Sequence, residues 1–148
     1  MATVVVASDA IITQSVVLSL AGEDFNLTAT RTISLVTAAD RRIIPVPTSE
    51  VDVVTLTSAA VGKGQFESFD FFMIVNRDDT NFVRLRVRQV AGDTVDFRLD
   101  PGEWMCFWND RIEVNTTAAA FGAFVGWDTI AVQADTASVD LEYLAVAI

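Results

Sequence analysis

The sequence predicts an all-β protein: an antiparallel β-sandwich, jelly-roll-like, of roughly nine or ten short strands. Three observations predict it. Val83, Leu85 and Val87 alternate with Arg84, Arg86 and Arg88, and Val95, Phe97 and Leu99 alternate with Asp96, Arg98 and Asp100. Period-two alternation marks strands with one buried and one wet face. Turn signals recur at about 8–12-residue spacing, and no segment keeps a helical period beyond two turns. The 148 residues suit one domain, 1–148. A domain of that size buries about 68–70% of its unfolded surface and needs no disulfide or metal to fold.

Val4 to Val6 and Ile11 to Leu20 read as one or two strands. Phe25 to Val36 follows, with Phe25, Leu27, Ala29, Ile33 and Leu35 on one parity. Arg31 falls on that same parity, so a bulge or a strand end is expected near it. Ala39 to Arg42 reads as a turn or short helical piece, and Pro45 and Pro47 demote Ile43 to Val46 to an edge or an extended connection. Val51 to Thr57 is a strand, and Ser58 to Gly64 a loop. Phe66 to Val75 is apolar on both parities, which marks a central strand covered on both faces. Asn76 to Asn81 is the tip of a connection. After the hairpin come Trp104 to Trp108, a turn at Asn109-Asp110, Arg111 to Asn115, and the last strands Thr129 to Ala134 and Ser138 to Ile148.

The hairpin register follows from parity. Its apolar residues all sit at odd positions, so partners on one face must have an even position sum. A loop of Ala91, Gly92 and Asp93 meets that condition and places Gly92 where positive φ is needed. Val87 then faces Phe97, Leu85 faces Leu99, Arg88 meets Asp96, Arg84 meets Asp100, and Arg86 meets Arg98. Asp100-Pro101-Gly102-Glu103 has the Pro and Gly of a type II turn.

Charge and composition narrow the partners. The net charge of −10 disfavours nonspecific binding to nucleic acid or to an anionic membrane. Hydrophobic residues make up 51% of the chain, and Lys63 is the only lysine to guard a strand edge. An apolar excess with unguarded edges points to subunit contacts. No run is long and apolar enough for a membrane-spanning helix. Ala10 to Ala21 has no basic region before it, follows Asp9 and is interrupted by Gln14, so a signal peptide is not expected.

Histidine is absent, which excludes Ser-His and Cys-His nucleophiles and the usual zinc ligand sets. No Gly-rich loop opens a helix, so nucleotide motifs are missing. No catalytic residue, cofactor or metal ligand is assigned, and the chain is expected not to be an enzyme. Asp78, Asp79 and Asn81 form an oxygen-rich loop that either holds Ca²⁺ or is an ordinary solvated turn; the spacing does not match a full calcium loop, which favours the turn. Trp104, Trp108 and Trp127, with Phe107 and Phe121, are either a sugar-stacking platform or core and subunit packing, the latter being commoner in a sandwich. Arg84, Arg86, Arg88 and Arg98 are a solvated face or a protein interface. Cys106, the single cysteine, lies between Met105 and Phe107 and reads as a buried packing residue.

The run FFMIVNRDDTNFVRLRV, followed by FRLDPGEWMCFW, resembles small β-sandwich virion proteins of tailed bacteriophages. The resembling elements are a strand ending at Ile74-Val75-Asn76, a polar turn at Asp78 to Asn81, a strand from Phe82 to Val87, and a Pro-Gly turn from Asp100 to Trp104. The resemblance implies a jelly-roll-like fold and a head decoration, or cement, protein. It implies a homo-oligomer, a trimer first, bound to the major capsid protein or other virion proteins. Such a protein would be made in the host cytoplasm and sit on the capsid surface of the virion. The alternative is a carbohydrate- or receptor-binding β-sandwich module of a phage tail or fibre.

Overall fold

The computed structural model describes residues 6–56, 67–90, 92–114 and 122–148. The expected strands Val4–Val6, Ser58–Gly64 loop, start of Phe66–Val75 and end of Arg111–Asn115 fall partly or wholly outside these residues, as do Ala91 and Phe121. The described chain is all-β. Its contacts divide it into two compact units: one runs to Ala38 and takes in Ile148, the other is Ala39–Ala147.

The first unit is a two-stranded ribbon. β1 (Ser8–Val16) pairs antiparallel with β4 (Leu27–Val36), and the short β2 (Ser19–Leu20) and β3 (Glu23–Asp24) carry the pairing to a turn. Ala21 and Gly22 both hold positive φ, 52° and 86°, as a two-residue type I′ hairpin turn requires. One register runs from Ala10↔Ile33 through Val16↔Leu27 to Leu20↔Glu23, and the Phe25 N–H donates to the Leu18 carbonyl at 2.7 Å within it. Two faces result. One carries Ile12, Val16, Leu18 and Leu20 with Phe25 and Leu27; the other carries Thr13 and Ser15 opposite Thr30 and Thr28, whose hydroxyls bond in pairs at 3.1 Å. The expected irregularity near Arg31 lies instead at Leu35, which holds φ 62° where the pairing shifts between Ser8 and Ala10. Arg31 stays in register opposite Ile12 because a long side chain on a ribbon face can reach water without breaking the ladder.

The second unit is the sandwich. Its strands are β5 (Ala38–Val46), β6 (Val51–Thr55), β7 (Phe71–Asn76), β8 (Val83–Gln89), β9 (Thr94–Leu99), β10 (Trp104–Phe107), β11 (Arg111–Ile112), β12 (Val125–Ala134) and β13 (Val139–Ala147). One sheet has the order β10-β7-β13-β5; the other has the order β11-β12-β8-β9, with β6 also on β12. Strand pairs nest: β8 with β9, β7 with β10, β6 with β12, β5 with β13. This is a long hairpin folded over so that its halves also meet as β7·β13 and β8·β12, the wrapping of a jelly roll.

Ala39 to Arg42, expected as a turn, is part of β5. Its polar residues are satisfied across the sheet: the Tyr143 hydroxyl donates to Asp40 at 2.8 Å and Arg41 Nε to Glu142 at 2.6 Å. Those partners lie about a hundred positions away, beyond any local reading. β5 does end the sheet order, as Pro45 predicts. β7 is central, as predicted, but it is not covered on both faces: Phe72 and Ile74 turn into the core while Met73 and Val75 turn outward and stay half-buried.

The two sheets close on an apolar core. Phe72, Ile74, Leu141 and Tyr143 from one face Leu85, Val87, Ile130 and Val132 from the other. Phe107 meets Trp127 edge-on with ring centres 4.5 Å apart, across the sheets. Trp127 and Ile130 both point inward despite opposite parity, because the pairing to β8 slips at Asp128. At one end Asn76, fully buried, has its Nδ2 2.9 Å from the Asn81 carbonyl and 3.2 Å from that of Leu99, while its Oδ1 accepts from the Asp78 N–H.

The β8–β9 register has the predicted parity and is offset by two residues. Val83 faces Leu99, Leu85 faces Phe97, and Val87 faces Val95. Gln89 ends β8 and closes the turn, its N–H donating to the Asp93 carbonyl at 2.8 Å and its carbonyl accepting from the Gly92 N–H at 2.8 Å, so the turn falls earlier than 91–93. The buried Gln89 side chain donates to the Ile112 carbonyl at 2.7 Å. Gly92 holds φ 95° and Gly102 φ 75°, and the Glu103 N–H reaches the Asp100 carbonyl at 3.0 Å, so both predicted turns place glycine where they need it.

Gly92→Val should therefore cost about 1 kcal/mol or more from backbone strain alone, since a Cβ there meets nothing within 4 Å. Phe97→Ala should cost about 2–3 kcal/mol, less than a fully buried ring, because Phe97 is half-buried on an edge strand. Urea midpoints measure both, and an unchanged midpoint for Gly92→Val would contradict the turn.

Burial, then the bond to Asp40, pushes the Tyr143 hydroxyl from its ordinary value of 10.0 up to about 12. Between those values the unfolded chain ionises and the folded one does not, so stability falls as pH rises through that window. Tyr143→Phe should lose less stability than the parent between pH 9 and 12, read from urea midpoints; equal losses would remove Tyr143 as the cause.

Candidate functional site

Each sheet of the sandwich buries one face and leaves one outward. The two outward faces differ in chemistry.

The outward face of the β12-β8-β9 sheet is charged. Arg86 binds Asp96 through two bonds, at 2.7 and 2.8 Å, and reaches Glu50 at 2.8 Å. Arg88 joins Asp52 at 3.0 Å and also contacts Glu50. The pairs expected from the earlier register, Arg88–Asp96 and Arg84–Asp100, are not formed, because the offset of two residues puts Arg86 opposite Asp96. Arg84 then lies opposite Arg98, and this pairing is tolerated because Arg98 turns to Asp100 at 2.6 Å and over the Phe82 ring at 4.1 Å. The Asp96 carboxyl is held below its ordinary range by the Arg86 bond. This is a solvated, internally neutralised face, and exposed pairs of this kind each contribute about 0–1 kcal/mol.

The outward face of the β10-β7-β13-β5 sheet is largely apolar. Trp104 pairs with Val75 and Cys106 with Met73, so these side chains share the face, and Leu144 and Glu142 join them from β13. Cys106 is half-buried on this outward face and is not in the core, because β10 alternates Met105 and Phe107 inward. Trp104 is exposed. Across the apolar strip lies one charged cluster that sequence reading did not single out. Arg41 and Arg77 grip opposite oxygens of Glu142, with Nε–O distances of 2.6 and 2.8 Å. Arg77 first and Arg41 second hold the Glu142 carboxyl below its ordinary range. The one sequence signal was Glu142 itself, an acidic residue inside the apolar run LEYLAVAI.

Arg41, Met73, Val75, Arg77, Glu142 and Leu144 together line a shallow depression of about 190 Å³. Two guanidiniums around one carboxylate leave one positive charge at its rim. The arrangement can bind an acidic, partly apolar group.

The three tryptophans do not form one platform. Trp127 is in the core, Trp108 packs on Phe71 with ring centres 5.0 Å apart, and Trp104 stands outward. The Asp78–Asn81 loop is a self-capped turn: Asp78 Oδ1 accepts from the N–H groups of Thr80 and Asn81 at 2.8 and 2.6 Å. Those two bonds hold the Asp78 carboxyl below its ordinary range. Asp79 bonds the Thr80 hydroxyl at 2.8 Å. Among the described residues, no three His, Cys, Asp or Glu side chains gather where a metal ion would sit.

A depressed carboxyl stabilises the fold above its unfolded value and loses that contribution as pH falls through its folded value. Glu142→Gln should therefore lower the urea midpoint at pH 7, and the gap to the parent should shrink at pH 3. A gap of equal size at both values would mean that the ion cluster is not the cause.

No family model matches the chain, and no curated protein and no solved structure matches it.

Proposed function

We propose that the chain is a non-enzymatic virion structural protein, a capsid decoration or cement protein of a tailed bacteriophage. In this reading it binds neighbouring capsid subunits as a homotrimer. One observation carries the reading: large apolar side chains stand outward on both the ribbon and the sandwich, among them Leu18, Leu20, Phe25, Leu27, Ile43 and Trp104. A two-stranded ribbon is marginal in water by itself, so such a surface favours a working state in which other chains cover it. The jelly-roll sandwich fits a role that needs contact area and no reacting group. The ion-paired outward sheet supports it too, since that sheet can face solvent while the other is covered.

A second reading, a carbohydrate- or receptor-binding module of a phage tail or fibre, is favoured by the exposed indole of Trp104 on a flat sheet face. Trp104 is the only tryptophan suited to test it, since replacing Trp127 would damage the core.

Purified protein should scatter light as about three times the 16.1 kDa chain. It should bind assembled heads of the phage that carries it and leave free coat subunits unbound. Binding to a glycan array that is lost in Trp104→Ala, without binding to heads, would replace the first reading with the second.

A further inference from the structure

We infer that the ribbon tip of one copy docks on the outward face of the β10-β7-β13-β5 sheet of a second copy. The inference rests on the homo-oligomer reading above and names the surfaces that make it.

The tip half of the ribbon has one apolar face, made by Val16, Leu18 and Leu20 with Phe25 and Leu27. These five side chains are 48–68% exposed. Soluble chains rarely leave so many large apolar groups on one contiguous face. The receiving face offers the matching chemistry: Trp104 at 52% exposure and Ile43 at 63% border the half-buried Met73, Val75 and Leu144. Two flat apolar β surfaces pack face to face at about 10 Å, side chains interleaved.

Charge selects this pairing over tip against tip. Leu20 lies opposite Glu23, so Glu23 shares the apolar face, and Asp24 follows it on the other. Two tips meeting through their apolar faces would set one Glu23 carboxylate against the other. On the sheet face the Arg41–Glu142–Arg77 cluster carries one excess positive charge, and both guanidiniums remain more than half exposed, at 70% and 53%. In a chain of net charge −10 this is an unusual place for a cation, and an acidic tip is its complement. The contact joins two different surfaces, so every copy gives one tip and receives one. Such a head-to-tail contact closes into a ring when its rotation allows, and a three-membered ring meets the proposed trimer.

The test uses complementation. Leu20→Asp with Phe25→Asp spoils the tip and leaves the sheet face intact; Trp104→Asp spoils the face and leaves the tip intact. All three positions are exposed, so each variant should keep a strand-dominated dichroism spectrum. Ile43→Asp is made in parallel as a second, independent face variant. At a concentration where the parent is oligomeric, each variant alone should run as a monomer in light scattering. An equal mixture of tip and face variants should recover a heterodimer, because one intact tip still meets one intact face. Two results overturn the inference while leaving the oligomer reading standing: a tip variant that keeps the parent's mass, or a mixture that stays monomeric. A parent chain that is itself monomeric overturns both.

Discussion

Alternation is the constraint on which the sandwich depends. A strand can turn only every second side chain to the core, so once Leu85, Val87, Ile130 and Val132 are committed inward, Arg84, Arg86 and Arg88 must stand outward. The same rule commits Phe72 and Ile74 inward on β7 and sends Met73 and Val75 out. One outward face therefore inherits arginines and the other inherits methionine, valine and tryptophan. The chemistry of the surface is what the core leaves over, and here the remainder is unequal.

Wrapping makes this constraint expensive to satisfy during folding. β5 meets β13 and β6 meets β12 only after the intervening chain is in place, and contacts of such separation must first overcome loop-closure entropy. The pair of the sandwich nearest in sequence, β8 with β9, carries the cleanest alternation and is its natural local starting point. Asn76 serves the later steps. Its side chain joins the end of β7 to the carbonyls of Asn81 and Leu99, so two turns at one end of the sandwich share a single buried amide. A buried amide without those partners would be costly, which ties the two turns to one outcome.

What could be read from the sequence was whatever a strand decides within itself. The inward and outward residues of β8 and β9, the positive φ of Gly92, the Pro-Gly turn and the central place of β7 all follow from local pattern. The register of the hairpin did not, because parity allows steps of two and local pattern alone does not choose among them. β5 was hidden because Asp40, Arg41 and Arg42 look like turn residues until Tyr143 and Glu142 are placed beside them. Trp127 is in the core, the commoner of its two readings, and the slip at Asp128 is what turns it inward. The Arg41–Glu142–Arg77 cluster joins three strands' ends or faces from distant parts of the chain, and no spacing rule connects them.

Pro45 has a further consequence for how such a chain stays countable. Sheet edges carry unpaired N–H and C=O groups that recruit any passing strand, and lysine, the usual guard, is almost missing from this protein. Proline lacks that donor and is tolerated on an edge strand, and Pro45 lies on β5, which ends its sheet order. The opposite edge of that sheet, β10, has only four residues to offer. Neither edge is a good template for amyloid-like growth. On this sheet, growth by adding strands at an edge is disfavoured, and its outward face is the larger surface left for any contact.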